Sequence, residues 1–290
     1  MIRDVVLFAF FLTIAIAQTV PPQPTLSVNV RMVEVYASVM DRHGKQVVGL
    51  GKDQFEVTED GQTQKIQLFE PQATALTTAL LIDTTGSMLK DLPRVKNAVS
   101  ILLSQMKRED SFGLFSFDTR LTVLHPFSQD RASTMRALLR TRASGSTAFF
   151  DALAQLASEV SRVNGKKVIL LFTDGDDNSS IMTRETAERT VTRVGVPVYA
   201  VAEGAALTSK PLMKSLDEIC RSTGGLVFHA KKPDDLGRIF EEIGRDLQHL
   251  YLLGYYPSLD NPRKTDWHKV MVQLPLHRDL KIRAKEGYWQ

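Results

Sequence analysis

The sequence predicts an α/β domain with a doubly wound, mostly parallel sheet, inserted in a small β-sandwich-like module built from both chain ends. Three observations carry this reading. Between residues 77 and 249, apolar runs of strand length alternate with amphipathic helical stretches. On either side of that region the chain alternates apolar and polar residues with period two and contains no convincing helix. Finally, 290 residues with 43% hydrophobic and 24% charged side chains but a single cysteine must gain stability from a packed core, since no intrachain disulfide can form.

At the N-terminus, Arg3 precedes an apolar run from Val5 to Ala17, and Ala15-Ile16-Ala17 has the small-x-small form of a cleavage site. The run is well short of the ~20 residues needed to span a bilayer. Residues 1–17 are therefore expected to be a signal peptide cleaved after Ala17, leaving no transmembrane span in the mature chain and a secreted or periplasmic protein. Residues 18–24, with Pro21-Pro22-Gln23-Pro24, form an extended leader.

Residues 25–72 are read as the N-terminal part of the β module. Val28, Val30 and Met32 alternate, and the phase then slips to Val33, Val35, Ala37 and Val39, as a bulge or face change would cause. Asp41-Arg42-His43-Gly44 is a turn, and Asp60-Gly61 is a hairpin signal between Phe55, Val57 and Ile66, Leu68.

Residues 75–249 are read as the α/β domain. Its strands are expected at Ala79–Ile82, Phe112–Phe115, Val168–Phe172, Val196–Val201 and Leu226–Phe228. Helices are expected on the stripe Val95, Val99, Leu102, Leu103, Met106, and at 147–160, 183–194, 212–220 and 236–247. Residues 250–290 return to β periodicity through Val270, Val272, Leu274, Leu280 and Ile282, and complete the β module.

The charge pattern excludes several functions. Thirty-six basic and 33 acidic side chains give a net charge of only +3, and no run of like charge marks a nucleic-acid arm. One cysteine and six scattered histidines give none of the usual zinc spacings. Cys220 shares an apolar helix face with Leu212, Leu216 and Ile219, so it reads as a buried small hydrophobe. Tyr251, Tyr255 and Tyr256 read as packing residues.

Chemistry concentrates at strand ends. Asp83-Thr84-Thr85-Gly86-Ser87 closes the first strand, and Thr173-Asp174-Gly175-Asp176-Asp177-Asn178 closes a later one. Gly145-Ser146-Thr147-Ala148 precedes a helix between them. In a doubly wound sheet these loops share the edge where ligands bind. Together they offer two carboxylates (Asp83, Asp174) and three hydroxyls (Thr85, Ser87, Thr147), hard oxygen ligands that suit Mg²⁺ or Mn²⁺. Asp176, Asp177 and Asn178 could support such a site or form a solvated acidic loop; Asp118 reads as a turn residue.

Asp83-x-Thr85-x-Ser87, Thr147 and Asp174 resemble the metal-ion-dependent adhesion site (MIDAS) of von Willebrand factor A-type domains. The usual first motif is D-x-S-x-S; Thr85 keeps the hydroxyl and adds a methyl group. Gly49-Leu50 through Phe55 to Gly61, Leu253-Gly254-Tyr255-Tyr256-Pro257 and Gly287-Tyr288 are similar to the flanks of secreted bacterial von Willebrand A-related proteins. The resemblance implies a non-enzymatic binding module. Its metal site, Asp83, Thr85, Ser87, Thr147 and Asp174, would leave one position open for an acidic side chain of a protein partner.

Two enzyme readings compete. Asp83-Thr84-Thr85-Gly86 also resembles the D-K-T-G of Mg-dependent phosphoaspartyl phosphatases, with Asp83 as nucleophile and Lys166 or Lys167 as the neutralising lysine. That reading leaves Ser87 and the block 145–153 unexplained. Ser87-Met88-Leu89-Lys90 fits S-x-x-K, but the further motifs of penicillin-interacting serine enzymes do not appear.

Overall fold

The computed structural model describes residues 32–232, 234–257 and 267–289. The signal-peptide and leader assignments (1–17, 18–24), and the alternation at Val28 and Val30, lie outside them. From the N-terminal side come β1 (Val33–Met40), β2 (Glu56–Glu59), β3 (Gln62–Gln64) and β4 (Leu68–Glu70). The central region runs β5 (Leu76–Asp83), α1 (Leu92–Gln105), β6 (Ser111–Phe117), β7 (Leu121–Ser128), α2 (Arg131–Arg140), α3 (Phe149–Val160) and β8 (Lys166–Thr173). It continues with α4 (Arg184–Val194), β9 (Val198–Glu203), α5 (Lys210–Thr223), β10 (Val227–Ala230) and α6 (Asp235–Leu247). The C-terminal side supplies β11 (Tyr251–Tyr255), β12 (Trp267–Gln273), β13 (Lys281–Ala284) and β14 (Gly287–Trp289).

The central sheet has the order β10-β9-β8-β5-β6-β7, parallel except for β7. Successive residues of its strands point to opposite faces, and both faces are covered. Leu80, Ile82, Leu170 and Phe172 pack with Val95, Val99 and Leu102 of α1 and Ile239, Phe240 and Ile243 of α6. Ala79, Leu81, Ile169 and Leu171 pack with Leu153 and Leu156 of α3, Val191 of α4 and Leu216 of α5. That is why the sequence reads there as unbroken apolar runs.

β7 and α2 escaped the periodicity. β7 is an edge strand carrying Pro126, its burial is only partial, and its pairing with β6 is irregular, so neither a clean alternation nor an apolar run marks it. α2 buries only Thr134 and Leu138.

The two chain ends interleave in two further sheets, β13-β1-β11-β4 and β14-β12-β2-β3. β1 lies between two C-terminal strands, β11 and β13, and β2 pairs with β12. Val35, Val39, Val57, Leu253, Val270 and Val272 share one core between the sheets.

β1 departs from a half-buried strand because its other face meets the α/β domain. Tyr36 joins the core beneath β5 and β8, and Ser38 donates to Asp246 of α6 at 3.2 Å. Leu68, which alternates with Ile66 out of the hairpin, packs on this α/β side while Ile66 packs in the module core. The crossings between module and domain converge on Lys166. Its buried ammonium donates to the carbonyls of Pro71, Gln72 and Leu250 at 3.1, 3.2 and 3.2 Å. No described helix is long and apolar enough to cross a membrane.

Candidate metal centre

The carboxyl ends of β5 and β8 are aligned by register, with Ile82 opposite Phe172. This lies where successive strands leave β5 in opposite directions, towards β6 and then β8, the switch point of the sheet. Asp83 ends β5 and is fully buried. Thr85 donates to its Oδ1 twice, from N at 2.9 Å and from Oγ1 at 2.7 Å. Thr173 Oγ1 donates to Oδ2 at 2.9 Å.

The chain of oxygens continues. Thr85 Oγ1 lies 3.0 Å from Ser87 Oγ, and Ser87 Oγ donates to Asp174 Oδ1 at 2.9 Å. Four of the sequence-selected residues thus form one connected set. Steps of 2.7, 3.0 and 2.9 Å are close to the ~3.0 Å between neighbouring ligands of an octahedral ion with bonds of ~2.1 Å. The donor set, carboxylates and hydroxyls only, fits a hard divalent cation.

Thr147 enters through the backbone. Its N donates to Asn178 Oδ1 at 3.0 Å, and its O accepts from Asn178 N at 2.9 Å and Ser179 N at 3.1 Å. Thr147 is buried, and among the described residues its hydroxyl has no hydrogen-bond partner. The first two loops are laced together as well: Ser144 N donates to Thr84 O at 2.7 Å and Gly86 N to Gly145 O at 3.3 Å. Gly145 has φ +87°, and a Cβ there would come within 3.1 Å of Asp118 Cβ, so the approach of the loops requires glycine.

The acidic loop 176–178 divides by role. Asn178 holds Thr147. Asp177 caps α3, accepting from Phe150 N at 3.0 Å, and Asp176 accepts from Ser209 Oγ at 2.5 Å. Asp118 accepts from Thr119 and Arg120 of its own turn. Thr173 was not singled out by sequence; its position one residue before Asp174, at a strand end facing Asp83, was the available signal.

Burial pushes the Asp83 carboxyl up to about 6, against the hydrogen bonds from Thr85 and with the charge of Asp174 adding to the rise. Burial also raises Asp174, and the charge of Asp91 adds to it. Nearby, Arg94 pairs with Asp91 and with Glu203 at 3.0 Å. Acidic groups are thus concentrated at a buried position where a divalent cation would compensate them.

The lysines of the phosphatase reading are elsewhere. Lys166 and Lys167 begin β8, opposite Leu76 and Thr77, about 20–23 Å along the sheet from Asp83 at ~3.3 Å per residue. Lys166 binds the three crossing carbonyls, and Lys167 pairs with Glu34 at 2.7 Å. Cys220 is buried, and burial pushes its thiol well up. Tyr251 and Tyr255 are buried in the module, while Tyr256 is exposed.

Residues 78–176 match the family model of the von Willebrand factor type A domain. Three solved structures share the fold. A von Willebrand factor type A protein from Catenulispora acidiphila is 18% identical with a TM-score of 0.52, over 76% of this chain and 51% of that one. Proximal thread matrix protein 1 from the mussel byssus is 19% identical with a TM-score of 0.52, over 69% and 50%. A further structure of the mussel protein, with a zinc-occupied MIDAS motif, is 20% identical with a TM-score of 0.51, over 64% and 48%. The chain thus spans about half the length of each. No curated protein matches it.

Proposed function

We propose that this chain, which carries a von Willebrand factor type A domain, is an exported, non-enzymatic protein-binding module that works through a divalent cation. Asp83, Thr85, Ser87, Thr147 and Asp174 would hold Mg²⁺ or Mn²⁺. When bound, the ion supplies a Lewis-acidic position to which a partner protein's carboxylate can add. The observation that carries this reading is the oxygen chain from Asp83 through Thr85 and Ser87 to Asp174, spaced 2.7, 3.0 and 2.9 Å. The same fold holding zinc at its MIDAS motif in the mussel protein supports it.

The chain's own residues fix the ligands. Thr173 and Thr85 hold both oxygens of Asp83, and Asn178 fixes the backbone of Thr147, so little ordering remains when an ion binds. The same contacts speak against Asp83 as a nucleophile, since its carboxylate is buried and both oxygens are engaged.

The test is a pull-down from the exported fraction with the full chain, with and without a chelator. A partner should be retained only with Mg²⁺ or Mn²⁺, and lost with Thr147→Ala or Asp174→Ala. Incubation with labelled acetyl phosphate should leave the protein unlabelled. A hydroxylamine-sensitive label lost in Asp83→Asn would replace the binding reading with the phosphatase one.

A further inference from the structure

A second group of ligand atoms meets in the β module, on other strands than the strand-end site and independent of the function proposed for it. Glu59 ends β2, Asp60 opens the turn into β3, and His268 lies on β12, the partner strand of β2. His268 Nδ1 is 2.9 Å from Asp60 Oδ2 and 3.7 Å from Glu59 Oε1. One ligand atom from each of the three residues falls within 4.8 Å of the others.

The group is tied to the paired strands β2 and β12. Asp60 and Lys269 exchange hydrogen bonds at 2.9 Å, Asp60 N to Lys269 O and Lys269 N to Asp60 Oδ1. The Tyr288 ring stacks on the imidazole at 5.3 Å. Tyr255 and Tyr288 donate to Glu59 Oε2 at 2.6 and 3.1 Å, which orients that carboxylate with Oε1 on the histidine side. Glu59 and His268 are 3% and 5% exposed.

Spacing and donor type both point to an ion. Ligand atoms around a tetrahedral cation with bonds of ~2.0–2.1 Å lie ~3.3 Å apart, and the observed 2.9 and 3.7 Å bracket that value. An imidazole nitrogen with two carboxylate oxygens is a zinc-type donor set rather than a magnesium one.

We infer that Glu59, Asp60 and His268 form a structural site for a zinc-class divalent ion. It ties the β2–β3 turn, from the N-terminal side of the chain, to β12 from the C-terminal side. A chain with one cysteine has no disulfide for that purpose.

The experiment is calorimetric titration of Zn²⁺ into the full chain at millimolar Mg²⁺, which keeps the oxygen site filled, with X-ray absorption on the zinc-loaded wild type. One zinc equivalent is expected, retained in Asp83→Asn and lost in Asp60→Asn and His268→Gln. The absorption spectrum should show a single imidazole with oxygen ligands. The inference is overturned if folded wild type takes up no zinc, if both β-module variants still bind it, or if the equivalent disappears with Asp83→Asn. A spectrum without imidazole overturns it even where a variant fails to fold.

Discussion

Replacing Asp83 by Asn should stabilise the metal-free protein and abolish its response to metal. In the folded chain burial holds the Asp83 carboxyl at about 6, against ~3.9 for a free aspartate. A raised acid pKa means that the folded state binds the proton more tightly. The contribution is therefore fully present below pH ~4 and lost as the pH rises towards and through 6. Two units at 1.36 kcal/mol each put the cost of the buried anion at neutral pH at about 3 kcal/mol. Asparagine avoids that cost and can keep the contacts. Its Oδ1 can accept from Thr85 N and Oγ1, and its amide can donate to Thr173 Oγ1, whose own proton can turn to Gly175 O, now 3.3 Å away. In EDTA at pH 7.5, Asp83→Asn should melt above wild type by roughly 6–12 °C, at ~2–4 °C per kcal/mol. The gap should close on acidification to pH 4. Magnesium at 100 times its dissociation constant should raise wild type by ~2.7 kcal/mol and leave the variant unchanged. A metal-free variant less stable than wild type at pH 7.5, with no closing of the gap in acid, would refute this account of Asp83.

Asn178→Ala removes the acceptor of the buried Thr147 N–H and should cost about 1–2 kcal/mol in chemical denaturation. It should also weaken Mg²⁺ in titration, whereas Asn178→Asp, which keeps the acceptor, should restore much of the binding. Lys166→Met strands three carbonyls at the crossings between module and domain; a loss of roughly 3 kcal/mol is expected, with hydrogen exchange rising first at 71–76 and 250–252. Truncation before Leu250 removes both neighbours of β1, so amides 33–40 should exchange rapidly, and unchanged protection there would contradict the interleaved sheets.

The sequence made legible what depends on a clean periodicity. Strands buried on both faces, such as Val168–Phe172, and helices with a broad apolar stripe, such as α1, announce themselves locally. β7 does not, because an edge strand with a proline and irregular pairing has no reason to alternate. β1 read as half-buried, since alternation cannot reveal that Tyr36 and Ser38 face a second domain. At the candidate site, residue type and strand-end position selected Asp83, Thr85, Ser87 and Asp174, which the structure joins through hydrogen bonds. Sequence left open whether Asn178 supports the site; that it does so by holding the backbone of Thr147 was not legible, because the contact spans 31 residues. His268 was unremarkable in sequence for the same kind of reason. It meets Asp60 only because the chain ends pair, 208 residues apart.

The central claim is a divalent ion held by Asp83, Thr85, Ser87, Thr147 and Asp174 with a position open to a carboxylate. Water-proton relaxation of Mn²⁺ added to the full chain tests this most directly, because it detects both the bound ion and the exchangeable water at its open position. The account predicts a relaxation enhancement in wild type that falls when acetate displaces that water, is absent in Thr147→Ala, and persists in His268→Gln. An enhancement that survives Thr147→Ala, or none in the folded wild type, would contradict it.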